Sequence, residues 1–262
     1  MARNAESTGS ESSRRSAEHA DREHRLQLLR RELSDFRALE ADEIFALEQS
    51  FDATRQLSRR DLVWQSNDAE ALYLVLEGWL VRSVTLRDNR RQILDFLLPG
   101  DIVCAFPGAR DTSVEDVHSL TKSRVVVLPP DRLRWLREEY CHVAYALFSA
   151  AARVGERLAE QVVRLGRLGA HERTAHLLLD LLMRLQRIGL ATGRRYSLPL
   201  TQVELADALG LSPMHLNRVF RALTRDGLVE VSGRAARTSI TVCDVQRLAE
   251  AGAYDLVRSD GR

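Results

Sequence analysis

The chain has 262 residues, of which 45% are hydrophobic and 29% charged, with a formal net charge of +1. That length allows two ordinary domains with a sizeable core, and the near-zero balance excludes a protein that binds nucleic acid or membrane through bulk charge alone. No run approaches the roughly 20 consecutive apolar residues of a membrane helix, and no apolar signal core opens the chain, so the expected location is the cytoplasm. Three cysteines, Cys104, Cys141 and Cys243, are too few and too far apart for a disulfide framework or a paired metal motif.

Residues 1–25 read as a disordered tail. Residues 2–25 hold no large aliphatic or aromatic side chain, only Ser, Glu, Arg, Ala and similar residues that bury too little to offset ordering. The middle of the chain then alternates with a period of two. In "ALYLVLEGWLVRSVTL" (71–86), Leu72, Leu74 and Leu76 share a face and Glu77-Gly78 supplies a turn, which predicts a hairpin. "RQILDFLLPGDIVCAF" (91–106) repeats the arrangement around Pro99-Gly100-Asp101, and "VHSLTKSRVVVLP" (117–129) adds two short strands. Short strands at regular spacing predict a small antiparallel barrel or jelly roll over about residues 45–130, within a domain of residues 26–130.

At Asp131 the period changes to about three and a half, predicting a long helix over 131–168. Leu147, Ala151, Val154, Leu158, Gln161 and Leu165 step by four and three, an apolar seam interrupted by one polar residue. Such a seam needs a cover, either the chain's own barrel or the same helix of a second copy. The expected interface of a homodimer is therefore Leu147, Ala151, Val154, Leu158 and Leu165. "HERTAHLLLDLLMRLQRI" (171–188) is a further amphipathic helix.

In "LTQVELADALGLSPMHLNRVF" (200–220), Gly210 suits a tight turn, and Ala206, four residues earlier, lets two helices approach closely. Leu205, Leu209, Leu211, Leu216 and Val219 take the apolar positions of a helix-turn-helix, while Ser212 is a good N-cap and Pro213 a good first helical residue. "GLVEVSGRAARTSITV" (227–242) alternates across a glycine turn, as a two-stranded wing carrying Arg234 and Arg237 would. A winged helix-turn-helix over 169–248 is a DNA-docking unit whose second helix enters the major groove. Its candidate base readers are Pro213, Met214, His215, Asn217 and Arg218, led by Arg218, whose guanidinium can bond O6 and N7 of guanine together. Thr201 and Ser212 stand where phosphate contacts are expected; Arg221, Arg234 and Arg237 either contact phosphate or stay solvated. Residues 249–262 read as a C-terminal extension. The partners are double-stranded DNA and a second copy of the chain, with no membrane.

A β-roll sensor, a long dimer helix and a C-terminal winged helix-turn-helix, in that order, resemble the Crp/Fnr (cyclic-AMP receptor) family of bacterial transcription regulators. The resemblance spans about residues 30–245 and rests on "LYLVLEGWL", "LLPGDIV", "RTAHLLLDLL", "LTQVELADALGLS" and "LNRVFRALTRDGLV". It implies an α+β fold, a two-fold operator and RNA polymerase as a partner. The departures are as informative. Members that bind cyclic AMP carry Gly-Glu and, further on, Arg-Ser, where this chain has Cys104-Ala105 and the Ser113-Val114 segment. A buried phosphate would lack its counter-charge, so cyclic-AMP dependence is not expected. The N-terminus has none of the cysteines of iron-sulfur members, and His118, the barrel's lone histidine, leaves haem or another small ligand as an alternative effector. Met214 replaces the acidic residue of the family's Glu-x-x-x-Arg recognition pattern, so the glutamate contact to cytosine N4 is missing. A cupin-type oxygenase would need several His and Glu ligands on the barrel. No nucleophile–base pair or phosphate-cradling loop occurs either, so no enzyme activity, metal or cofactor is expected. A binding module that never touches DNA would leave the helix-turn-helix and wing without a purpose.

Overall fold

The computed structural model describes residues 20–31, 33, 39–65, 71–105, 115–233 and 238–254, without the side chains of Cys104 and Ala105. A helix over residues 20–31 (α1) and α2 (Ala41–Gln49) precede eight strands: β1 (Arg55–Leu57), β2 (Leu62–Gln65), β3 (Ala71–Glu77), β4 (Leu80–Thr85), β5 (Arg91–Leu97), β6 (Ile102–Ala105), β7 (Glu115–Ser119) and β8 (Ser123–Leu128). Two antiparallel sheets, ordered β1-β8-β3-β6 and β2-β7-β4-β5, form the β-roll. Tyr73, Val75, Leu80, Val117 and Val125 fill the space between them, while Leu72, Leu74 and Leu76 turn the other way into a core shared with α1, α2 and the helices after the roll.

Two predictions need correction here. The segments around Glu77-Gly78 and Pro99-Gly100-Asp101 are not hairpins: β3 pairs with β6 and β8, and β4 with β5 and β7. Each turn carries the chain from one sheet to the other, and so does the turn between β7 and β8. An alternating strand with a turn after it reads alike whether the next strand lies beside it or crosses to the facing sheet. Gly78 (φ +84°) makes its corner against Ser123 and Lys122, where a Cβ would collide with both. Residues 20–25, expected to belong to a disordered tail, do not. Residues 20–25 are helical, Arg22 donates to both oxygens of Glu48 at 2.6 and 2.9 Å, and Leu28 and Leu29 are buried. Residues 1–19 lie outside the described residues.

The long helix is two: α3 (Pro130–Glu139) and α4 (Cys141–Arg167), broken at Tyr140. The DNA-domain elements follow as α5 (Ala170–Arg187), β9 (Ala191–Thr192), β10 (Arg195–Leu198), α6 (Gln202–Leu209), α7 (Pro213–Arg225), β11 (Val229–Ser232), β12 (Thr238–Val242) and α8 (Val245–Ala251), with sheet order β11-β12-β10-β9. This domain covers the outer face of the second β-roll sheet. Trp79, Val81, Ile93, Phe96 and Leu98 share one core with Leu178, Leu182, Leu205 and Leu209.

Polar side chains rivet the same junction. Arg157 of α4 donates to Asp95 at 2.7 Å; Arg184 of α5 bonds Asp101 at 2.8 Å and the Phe96 carbonyl at 2.6 Å, and lies 3.4 Å from Asp95. Burial opposes ionisation of Asp101, but Arg157 and Arg184 override it and hold its carboxyl below the usual carboxylate range. Gln161 of α4 donates to the carbonyls of Ile93 and Ala208, Arg91 bonds Asp207 of α6 at 2.8 Å, and Arg59 bonds Glu204 of α6 at 2.5 Å.

The predicted dimer seam does not face outward. Leu147 is 5% exposed in the chain's own core, Gln161 is buried, and Leu165 lies over Gly210 of the helix-turn-helix. Ala151, Val154 and Leu158 are half-buried on the same side. The outward face is instead Tyr145, Phe148, Ala152, Gly155, Ala159, Val162 and Gly166, all exposed and spaced by three and four. The heptad count fits two registers of this helix, and the junction with β5 and α6 takes the more polar one. Among the described residues no helix is long and apolar enough to cross a membrane, and no three His, Cys, Asp or Glu side chains gather as a metal site.

Candidate nucleic-acid interface

Helix α6 starts with a capping box. Thr201 Oγ1 accepts from the Glu204 N–H at 3.2 Å, and the Glu204 carboxylate accepts from the Thr201 N–H at 2.7 Å. Gly210 takes the left-handed conformation (φ +62°) that ends the helix, and Ser212 caps α7 by accepting from the His215 N–H at 3.2 Å. Leu216, Val219 and Leu223 are buried and pack with Leu205, Ala206 and Leu209, which fixes the two helices against each other.

The packing decides what α7 presents. Met214 is 73% exposed, and Arg218 and Arg221 stand exposed on the same outward ridge, with no hydrogen bond or ion pair to the described residues. Pro213 and His215 are exposed at the helix start, where unpaired N–H groups and the helix dipole favour anions. Asn217 is half-buried on the flank toward α6, tied to Gln202. The Thr201 and Ser212 hydroxyls both serve as caps, yet each keeps its own hydrogen to donate. Arg234 and Arg237 lie outside the described residues; β11 and β12 pair as far as Ser232 and Ser239 on either side of them. His118 stands in β7 opposite Leu62 and Val81. Residues 106–114, which include Ser113 and Val114, are also outside the described residues. Gln202 escaped sequence reasoning, although its place as the first residue after the Thr201 cap puts it at the exposed start of α6.

A Crp-like helix-turn-helix domain matches residues 172–251, and a cyclic nucleotide-binding domain matches residues 54–140. The transcriptional activatory protein AadR of Rhodopseudomonas palustris is 31% identical over 164 residues, covering 62% of this chain and 67% of AadR. The chain belongs to the Crp/Fnr family. Another Crp/Fnr relative, the transcriptional activator protein FnrL of Cereibacter sphaeroides, is 28% identical over 225 residues, 85% of this chain and 88% of FnrL. The structure of FixK2 from Bradyrhizobium japonicum superposes with a TM-score of 0.67 at 26% identity, covering 76% of this chain and 96% of that one. As a Crp/Fnr protein the chain is a DNA-binding transcription regulator, from a family of regulators rather than enzymes.

Proposed function

We propose that the chain grips a two-fold operator as a homodimer, with Arg218 of each subunit reading guanine, and that it does so without cyclic AMP. The observation that carries the reading is the ridge of Met214, Arg218 and Arg221, without a partner among the described residues and aimed away from the face on which Leu216, Val219 and Leu223 are packed. A free guanidinium at that place can bond guanine O6 and N7, while Thr201, Ser212, Arg221 and the wing residues Arg234 and Arg237 hold phosphate. The dimer forms through the outward face of α4. Phe148 and Val162 are 72% and 70% exposed there, and Gly155 and Gly166 leave room for a second helix to come close. Cys104-Ala105 and Ser113-Val114 supply no counter-charge for a cyclic phosphate. The protein acts in the cytoplasm, has no catalysis of its own and works through RNA polymerase.

Operator selection from a random DNA pool tests this reading. Wild type should select a two-fold motif, and Arg218→Ala should lose about 1–3 kcal/mol and one base pair of preference in each half-site. Arg237→Ala should weaken all sequences alike and flatten the salt dependence. An unchanged motif from Arg218→Ala would remove Arg218 as the reader, and calorimetric binding of micromolar cyclic AMP would overturn the ligand-independent part.

A further inference from the structure

A side-chain amide reads adenine with one edge: its carbonyl oxygen accepts from N6 while the neighbouring N–H donates to N7. In this structure that edge of Asn217 is in use. Gln202 Nε2 donates to Asn217 Oδ1 at 2.8 Å, and Asn217 Nδ2 donates to Gln202 Oε1 at 2.8 Å. Two amides bonded reciprocally share their reading edges. Each keeps one N–H and one oxygen lone pair, but these point to opposite flanks of the group and cannot meet N6 and N7 of a single base.

The exposed partner amide springs from a firmly placed helix. Gln202 is the first residue of α6, next to its Thr201 cap, and α6 is held by Glu204 to Arg59 and by Asp207 to Arg91. Asn217 faces it from the half-buried flank of α7. We propose that Gln202 is a specificity-determining residue: it closes the adenine-reading edge of Asn217, so each half-site is read by Arg218 and Met214 with no adenine requirement at the base pair Asn217 faces. This rests on α7 being the DNA-reading helix. Opening the pair for an adenine exchanges two amide bonds for two others, which leaves little net discrimination. An open Asn217 would instead favour adenine by about 5-fold to 150-fold, the range of a good bidentate contact.

The test uses the full chain and the operator that wild type selects, with all four base pairs placed in turn at each half-site position. Gln202→Ala should gain a preference for adenine of about 5-fold or more at one position per half-site. That gain should vanish when the adenine is 7-deazaadenine, which pairs normally but lacks the N7 acceptor, and in Gln202→Ala combined with Asn217→Ala. Gln202→Leu, which keeps the side-chain stem without the amide, should reproduce the gain, and unchanged melting temperatures would show that both variants fold. The closure is overturned if both variants keep the wild-type base profile, or if wild type itself weakens about 5-fold on 7-deazaadenine. A wild type that selects no motif at all would bring down the reading of α7 as well, whereas a clear wild-type motif with unmoved variants removes only the role of Gln202.

Discussion

The two ends of α4 treat their inner faces in opposite ways. Near its start the helix turns Val143, Ala146, Leu147 and Ala150 into the chain's own core, as an ordinary amphipathic helix does. Near its end it turns Arg157, Gln161 and Arg164 inward and leaves Val162 and Val163 in the open. A helix serving two masters need not keep one apolar stripe. Its last turns bury polar groups because each finds a partner at the domain junction, and the apolar residues are released for another surface.

Substitutions on each face can break that contrast. The largest effect should come from Arg184→Ala, the α5 partner of the polar junction, which leaves Asp95 and Asp101 enclosed with half their counter-charge. A loss of about 3–5 kcal/mol in denaturant unfolding is expected, with no change in the mass given by light scattering. A loss below about 1 kcal/mol would mean that water, not arginine, compensates the pair. Next comes the outward face. Phe148→Ala with Val162→Ala should weaken association by about 2 kcal/mol or more and make the melting temperature independent of protein concentration. Light scattering that still gives a dimer on dilution would return this face to solvent.

Gln161→Leu keeps the volume but removes both the donor to the Ile93 and Ala208 carbonyls and the oxygen that accepts from Arg164, at an expected cost of about 2–3 kcal/mol in thermal unfolding. A neutral result would make the inner face tolerant of an apolar stripe after all. The smallest effect is a pH dependence. Because the folded carboxyl of Asp101 lies below its unfolded value, its stabilisation is complete above about pH 4 and fades as pH falls through the lower folded value. Stability of Asp101→Asn should therefore fall less steeply than wild type below about pH 4, and parallel acid profiles would deny Asp101 that role.

Much of the DNA domain was legible because its signals are local. Gly210 ends a helix, Ser212 and Pro213 start one, and Leu205, Leu216 and Val219 sit at fixed distances from that turn. The β-roll was legible as strands but not as pairings, since Gly78 looks the same at a hairpin tip and at a corner between sheets. Which face of α4 packs on its own chain was ambiguous for a related reason: both the 147–154–161 row and the 148–155–162 row satisfy a heptad, and only the polar contacts of Gln161 and Arg157 decide which is inside. Asn217 was placed on the right helix, yet its bond to Gln202 depends on how two side chains meet across a turn, which no spacing rule encodes.

The core shared by Trp79, Ile93 and Phe96 with Leu178, Leu205 and Leu209 bears on how such proteins can be recombined. A recognition head moved alone onto another regulator's sensor would meet a foreign β4–β5 hairpin and lose the seats of Asp207 and Ala208 on Arg91, Gln92 and Gln161. Chimeras cut between α4 and α5 should therefore misfold or tilt their reading helices. Those that carry β4 and β5 along with the head keep the matched surfaces together, so the transferable unit is discontinuous in sequence.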